Sequence, residues 1–285
     1  MTVVLQMSDP HFGTERPMAV AALERLCAEL RPDLLLITGD ITQRARPVEF
    51  SRAKAFVDKL GVPARVVIPG NHDIPLLAVS TRLLHPYLRY ERAFGPVQDA
   101  EFETDDLLLI ALNTTRRYRH KHGELSERQI ERTAQRLRQA RAGQTRLVAV
   151  HQPVAVTQSV DVSNLLRGHA KAVRRWSEAG VDAVIGGHIH LPYVLPLHER
   201  RSDLPRPVWA VQAGTALSTR VRGGIPNSVN VIRTGVDVAA AETTSIAGST
   251  LVAESAPAVG PACVERWDVD ETEGVFQRVS STVLA

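Results

Sequence analysis

The chain has 285 residues, 44% hydrophobic and 23% charged, an ordinary globular composition with enough length for a large core. A net charge of +3 makes no demand for a nucleic-acid partner, and no run approaches the ~18 apolar residues of a membrane span. The two cysteines, Cys27 and Cys263, make neither a disulfide framework nor a zinc knuckle, which fits a reducing cytoplasm.

The N-terminal residues MTVVLQMSDPH lack the basic and apolar regions of a signal peptide, so a cytoplasmic protein is expected. Residues 3–7 read as a strand that runs into the loop SDPHFG. Residues 17–30 follow with Val20, Leu23, Leu26, Cys27 and Leu30 at helical spacing. A buried strand is expected at 34–38, ended by Gly39-Asp40, and a helix at 48–60, capped by Gly61. The strand 65–68 ends in Pro69-Gly70-Asn71-His72-Asp73, and 76–90 reads as helical, with Pro86 interrupting the pattern. After a strand at 107–112, Ser126 and Gln129 form a capping box that opens a helix to about residue 140. Strand 147–150 ends at His151, and helix 169–179 ends at Gly180. A short β-branched strand then runs into VIGGHIH, Val184 to His190. Strands are expected at 208–212 and 229–232, with the last two, 264–267 and 275–279, adding to a sheet edge. Residues 236–262, rich in Ala, Ser, Thr, Gly and Pro, read as a peripheral hairpin or mobile segment. The β-α alternation predicts an α/β layered fold with outer helices, one domain over 1–285 with 236–285 as its peripheral part.

In VIGGHIH the two histidines sit two apart in an extended segment, so they face one way. They are a turn's incidental residues, a satisfied core pair or a metal site, and the pair alone does not decide. The other strand ends do more. They carry Asp9-Pro10-His11, Gly39-Asp40, Gly70-Asn71-His72-Asp73 and His151. In α/β sheets ligands bind outside the carboxyl ends of strands, so these residues should converge. Each motif is common alone; the ordered set is not.

This ordered set resembles the calcineurin-like metallophosphoesterase superfamily, and no residue of its pattern is missing: Asp9, His11, Asp40, Asn71, His72, His151, His188 and His190. The size and the GNHD form are similar to the cyclic-nucleotide and glycerophosphodiester phosphodiesterase branch. The resemblance implies a four-layer αββα sandwich of two mixed sheets with a dinuclear metal centre. It implies one ion at Asp9, His11, Asp40 and His190, and another at Asp40, Asn71, His151 and His188, with Asp40 bridging. Asp and His donors suit Fe, Mn, Zn or Co rather than Ca. The implied reaction is hydrolysis of a small phosphodiester by a metal-bridging hydroxide, with Asp40, Asn71 and His72 as catalytic residues. His72 would contact the phosphate or protonate the leaving oxygen; in the acid role, its loss should hurt an alkyl diester more than a nitrophenyl ester. Asp73 either orients His72 or caps the turn. Two divalent ions less two carboxylates and one hydroxide leave a centre near +1, suited to one phosphate anion.

The basic loop 114–123, TTRRYRHKHG, follows a strand end and is either a solvated face or a grip for a second anionic group. Arg44, Arg46, residues 218–222 and Asn227-Ser228 are candidates for the same pocket, while His85, His169 and His198 read as surface or cap residues. A nucleotide-sugar-lipid pyrophosphohydrolase or a nuclease of the same superfamily is the alternative enzyme. A metal-free scaffold would have shed ligands that this chain keeps. No specific nucleic acid is expected as a partner, and a homo-oligomer is left open.

Overall fold

The computed structural model describes residues 1–76, 78–235 and 262–285. Its strands are β1 Val3–Met7, β2 Leu34–Thr38, β3 Ala64–Ile68, β4 Ala100–Glu103, β5 Leu107–Ala111, β6 Thr145–Ala149, β7 Ala183–Gly186, β8 Tyr193–Pro196, β9 Trp209–Gln212, β10 Ser228–Arg233, β11 Ala262–Asp270 and β12 Val275–Leu284. Its helices are α1 Pro17–Leu30, α2 Pro47–Leu60, α3 Val79–Leu84, α4 Leu88–Phe94, α5 Glu127–Arg138 and α6 His169–Glu178. Two mixed six-stranded sheets form, in the orders β12-β11-β10-β1-β2-β3 and β4-β5-β6-β7-β9-β8.

Period-two alternation explains the layering. In β1, Val3, Leu5 and Met7 face the helices α1 and α2, where they meet Leu23, Leu26, Phe50 and Phe56. Val4 points the other way, into a second core shared with Leu34, Leu36, Leu107, Leu109, Leu147 and Ile185 between the two sheets. Beyond the second sheet, Leu108, Ile110, Val148 and Val184 pack on Ile130, Leu137, Val173 and the fully buried Trp176 of α5 and α6. The central strands are buried on both faces, which is why they read as continuous apolar runs. The result is a four-layer αββα sandwich, as the sequence implies.

Local signals are realised closely. Pro17 opens α1 and Gly61 closes α2 with φ +64°. Ser126 Oγ accepts from Gln129 N at 3.2 Å while Gln129 Oε1 accepts from Ser126 N at 3.2 Å, the capping box of α5. The single helix expected at 76–90 is instead two short ones, α3 and α4. His85, which precedes Pro86, takes a non-helical conformation (φ −141°), as steric pressure from a following proline dictates. Two edge strands, β4 and β8, join the sheet beyond those expected from sequence. The hairpin β11–β12 extends the first sheet beyond β10, and β12 forms its edge. Residues 236–261, most of the stretch read as a peripheral hairpin or mobile segment, lie outside the described residues. Among the described residues no helix is long and apolar enough to cross a membrane.

Candidate metal centre

The carboxyl ends of β1, β2, β3, β6 and β7 meet between the sheets. The loops after β1 and β2 run together: Asp9 N donates to Gly39 O at 3.0 Å and His11 N to Asp40 O at 3.1 Å. The chain at these strand ends takes left-handed backbone. Asp9 (φ 50°), His11 (43°), Asp40 (51°), His188 (76°) and His190 (57°) all have positive φ, against only Arg31 and Ala45 among the other described non-glycine residues. Such conformations cost of order 1–3 kcal/mol each and gather where function demands them. The glycines serve close approach. Gly39 has φ +92° and a Cβ there would overlap the His151 ring; a Cβ at Gly70 would overlap Asp40 N and Oδ1.

Two clusters result: Asp9, His11 and His190, and Asp40, His151 and His188, the donor atoms of each lying within 4.8 Å of one another. All six side chains are buried or nearly so. In the first, His11 Nε2 lies 3.0 Å from His190 Nε2 and Asp9 Oδ1 lies 3.3 Å from His190 Nε2. In the second, His151 Nε2 lies 3.3 Å from Asp40 Oδ1 and 3.2 Å from Asn71 Oδ1, which brings Asn71 to the cluster. Asp40 turns its other oxygen, Oδ2, toward the first cluster, 3.9 Å from His11 Nε2. The two clusters are also tied by the His188 N–H, which donates to Asp9 Oδ2 at 2.8 Å.

The tautomers test whether these residues suit cations. His151 Nδ1 lies 2.7 Å from Thr38 O, and His190 Nδ1 lies 2.6 Å from Arg220 O. A carbonyl only accepts, so both Nδ1 atoms carry the hydrogen, and each neutral ring turns an Nε2 lone pair inward. In the second cluster that lone pair faces two oxygen acceptors. In the first it faces another imidazole nitrogen and Asp9 Oδ1. Asp9 Oδ1, His11 Nδ1 and His188 Nδ1 are buried without a hydrogen-bond partner. Electron pairs converging in a buried place need a positive centre between them. Adjacent ligands bound at ~2.0–2.2 Å stand about 3–3.5 Å apart, which matches most of the spacings here. The donor set fits two transition ions.

The electrostatics agree. Burial alone would push His151 down, but the Asp40 carboxylate, with Asp9 beyond it, outweighs burial and raises it to about 9. Burial opposes ionisation of Asp40 too, yet His151 holds it well below the usual carboxylate range. For His11, burial prevails over Asp40 and Asp9 and lowers it to about 3; for His188, burial and the neighbouring His151 cation lower it to about 3. Without an ion, therefore, a proton on His151 holds the second cluster together, and an ion must displace it. We expect ion loading near pH 7–8 to release about one proton from this cluster, and apparent affinity to rise up to about tenfold per pH unit until His151 loses its proton near 9. Calorimetry in buffers of different ionisation enthalpy reads this directly; heats independent of buffer would mean that no proton is displaced.

Asp73 caps the turn and does not orient His72. Its carboxylate accepts from Gly70 N (2.9 Å), Ile41 N (3.1 Å), Thr42 N (2.9 Å) and Thr42 Oγ1 (2.8 Å). Burial, with the nearby Asp40 charge, raises it to about 6 despite these donors. Asp73→Ala would orphan three buried N–H groups and is expected to cost about 2–5 kcal/mol. An unchanged denaturant midpoint would contradict that clamp.

His72 sits beside the centre, its ring 4.8 Å from that of His11. Its Nδ1–H donates to Gln43 O at 2.8 Å, and its Nε2 lies 3.2 Å from Arg220 Nη1. Arginine only donates, so Nε2 accepts, and neither ring nitrogen has an N–H left for a substrate. This contact argues against the acid role and makes His72 the acceptor that holds the Arg220 guanidinium. Over the centre opens a cleft of about 790 Å³, lined by Asp40, Asn71, His72, His188 and His190. Arg44, Arg46, Arg220 and Arg222 line it as well, as do His120 and Lys121 from the basic loop. Arg89 and Gln43 join them with no sequence signal beyond Gln43's place after a strand end. His85, His169 and His198 belong to neither cluster; His169 Nδ1 caps Leu166 O at 2.8 Å.

A four-layer αββα sandwich with a buried Asp/His double cluster at its strand ends is the arrangement implied by the superfamily resemblance of the sequence. Comparison with known proteins agrees. The Calcineurin-like phosphoesterase family model matches residues 2–192, and the chain belongs to this family. Over 200 residues it is 28% identical to "Probable cyclic nucleotide phosphodiesterase" of Rhodococcus erythropolis, covering 66% of this chain and 64% of the relative. Over 203 residues it is 29% identical to a cAMP/cGMP dual specificity phosphodiesterase of Mycobacterium tuberculosis, covering 66% and 61%. The chain thus spans a little under two thirds of the length of these relatives. Among solved structures, a purple acid phosphatase from yellow lupin seeds shares the fold with TM-score 0.68 at 10% identity, covering 98% of this chain and 53% of that one. A dimetal phosphatase from Danio rerio does so with TM-score 0.57 at 13% identity, covering 81% and 92%.

Proposed function

We propose that this chain is a dinuclear metal-dependent phosphodiesterase acting on a small phosphodiester, with cyclic nucleotides as the leading class and glycerophosphodiesters next. The observation that carries the reading is Asp40, which presents one oxygen to each of two lone-pair-rich clusters beneath a cation-lined cleft. The names of the two curated relatives support the cyclic-nucleotide choice. Asp9, His11, Asp40 and His190 would hold one ion, and Asp40, Asn71, His151 and His188 the other. Fe, Mn and Zn are the candidate metals. When bound, such a pair supplies Lewis acidity toward phosphoryl oxygens and a nucleophile at neutral pH.

The chain's own residues do the rest. Thr38 and Arg220 carbonyls fix the tautomers of His151 and His190. The Asp73 clamp joins the loops that carry Asp40 and Asn71. The arginines of the cleft meet the substrate's anionic group, with His72 bracing Arg220 as an acceptor, and the cleft is large enough for a nucleotide-sized ligand. The test is a screen of Mn-loaded protein against 3′,5′-cyclic nucleotides, glycerophosphodiesters, phosphomonoesters and nucleotide-sugar lipids. Turnover is expected on the diesters, cyclic nucleotides foremost. Turnover confined to monoesters or to the pyrophosphate-linked lipids would overturn the reading.

A further inference from the structure

We infer that Arg220 is the residue through which this chain grips a phosphoryl oxygen beside the metal centre, with Gln43 as its positioning residue; the inference rests on the phosphoester reading above. Arg220 belongs to the loop between β9 and β10, and its main chain is built into the site. Its carbonyl accepts from His190 Nδ1 at 2.6 Å, and its N–H donates to Ser218 Oγ at 3.1 Å. Ser218 Oγ lies 2.7 Å from Thr215 Oγ1, which donates to Asp9 O at 2.6 Å. The backbone of Arg220 is thus tied to two ligands of the first cluster, and the side chain leaves from a fixed base.

The guanidinium closes a ring of three residues from three loops. Nη1 donates to Gln43 Oε1 at 3.2 Å and to His72 Nε2 at 3.2 Å, while His72 Nδ1–H returns to Gln43 O at 2.8 Å. Each partner of the guanidinium is neutral. Its neighbour Arg222 shows the contrast, held by Asp161 in a bidentate pair at 2.8 and 2.9 Å. Among the described residues Arg220 has no such carboxylate partner, so its charge is uncompensated. A guanidinium has five N–H donors, and among the described residues only Nη1 meets side-chain partners. Held half-buried in the cleft shared with Asp40, Asn71 and His188, its planar fork matches a multi-oxygen anion, and phosphoryl oxygens are that chemistry. An arginine that only braced the loop would do so through its backbone and would not need an uncompensated charge facing the cleft.

The experiment compares metal-loaded wild type with Arg220→Met, Arg220→Lys and Gln43→Glu. Metal content is read by elemental analysis, and binding of inorganic phosphate by calorimetry. All four proteins should hold the same metal, because Arg220 reaches His190 through its carbonyl. Arg220→Met should bind phosphate ~10–100-fold more weakly, the worth of a charged hydrogen bond, and Arg220→Lys should fall less. Gln43→Glu preserves shape but neutralises the guanidinium, so phosphate affinity should drop about tenfold, an effect that packing alone would not give. Phosphate bound equally by wild type and Arg220→Met, or by neither, overturns the inference. So does loss of metal in both Arg220 variants, which would make the residue a structural anchor. Turnover of bis(p-nitrophenyl) phosphate is followed in parallel: an inactive wild type with arginine-dependent phosphate binding would sink the phosphodiesterase reading and leave this one standing.

Discussion

Asp40→Ala is expected to empty both ion sites and to abolish turnover. Among the described residues Asp40 is the only carboxylate with an oxygen beside a histidine side chain of each cluster, Oδ1 at 3.3 Å from His151 Nε2 and Oδ2 at 3.9 Å from His11 Nε2. Oδ1 also accepts from His72 N at 2.8 Å, so its loss frees the loop that carries Asn71. Each ion is worth several kcal/mol of transition-state stabilisation, so losing both should cost at least ~10⁴ in rate. Asp9→Ala is the control. Its Oδ1 faces only the first cluster and its Oδ2 meets the second solely through the His188 main-chain N–H, so the second should still load, at reduced affinity. Elemental analysis of both variants, after identical loading and desalting, reads the difference. One ion retained at undiminished affinity in Asp40→Ala, with persisting turnover, would show that it does not bridge.

His72→Ala is expected to keep near-normal metal and to lose about 10²-fold in turnover, nearly equally on an alkyl diester and on a nitrophenyl ester. The sequence alone suggests an unequal loss, from a protonated imidazole serving the poorer leaving group. The structure changes that expectation: Nδ1–H is committed to Gln43 O and Nε2 accepts from Arg220. Removing the ring therefore takes away the acceptor that aims a guanidinium, and the loss should follow phosphate binding rather than the leaving group. Measuring both rates and the metal content on one preparation separates the roles. A much larger loss on the alkyl diester would restore the acid role, and lost metal would make His72 structural.

Much of this site is legible in the sequence because its parts are strand ends. β1, β2 and β7 are short, mainly apolar runs buried on both faces, and each stops at Ser8, Gly39 or Gly187 just before a ligand-type side chain, while β6 runs through Val150 into His151. The helix caps at Gly61 and Ser126 are equally local. What stays hidden is set by packing. β4, AEFE, is a half-exposed edge strand that gains its place only by pairing with β5. β8, YVLP, is short, ends in proline and depends on β9. Arg220 and Arg222 follow a strand end, yet nothing in their spacing tells that one is neutralised by Asp161 and the other is not. Asp73 is similar: Gly-Asn-His-Asp gives its place in the turn, whereas its hold on Ile41 and Thr42 depends on two loops meeting in space.

Metal stoichiometry bears most directly on the centre itself. Protein stripped with a chelator, reloaded with Mn, Zn or Fe and desalted should carry about two transition ions per chain, and diester hydrolysis should vanish on stripping and return on loading. Full hydrolysis by stripped protein in which elemental analysis finds no transition metal would contradict a dinuclear centre at Asp9, His11, Asp40, Asn71, His151, His188 and His190.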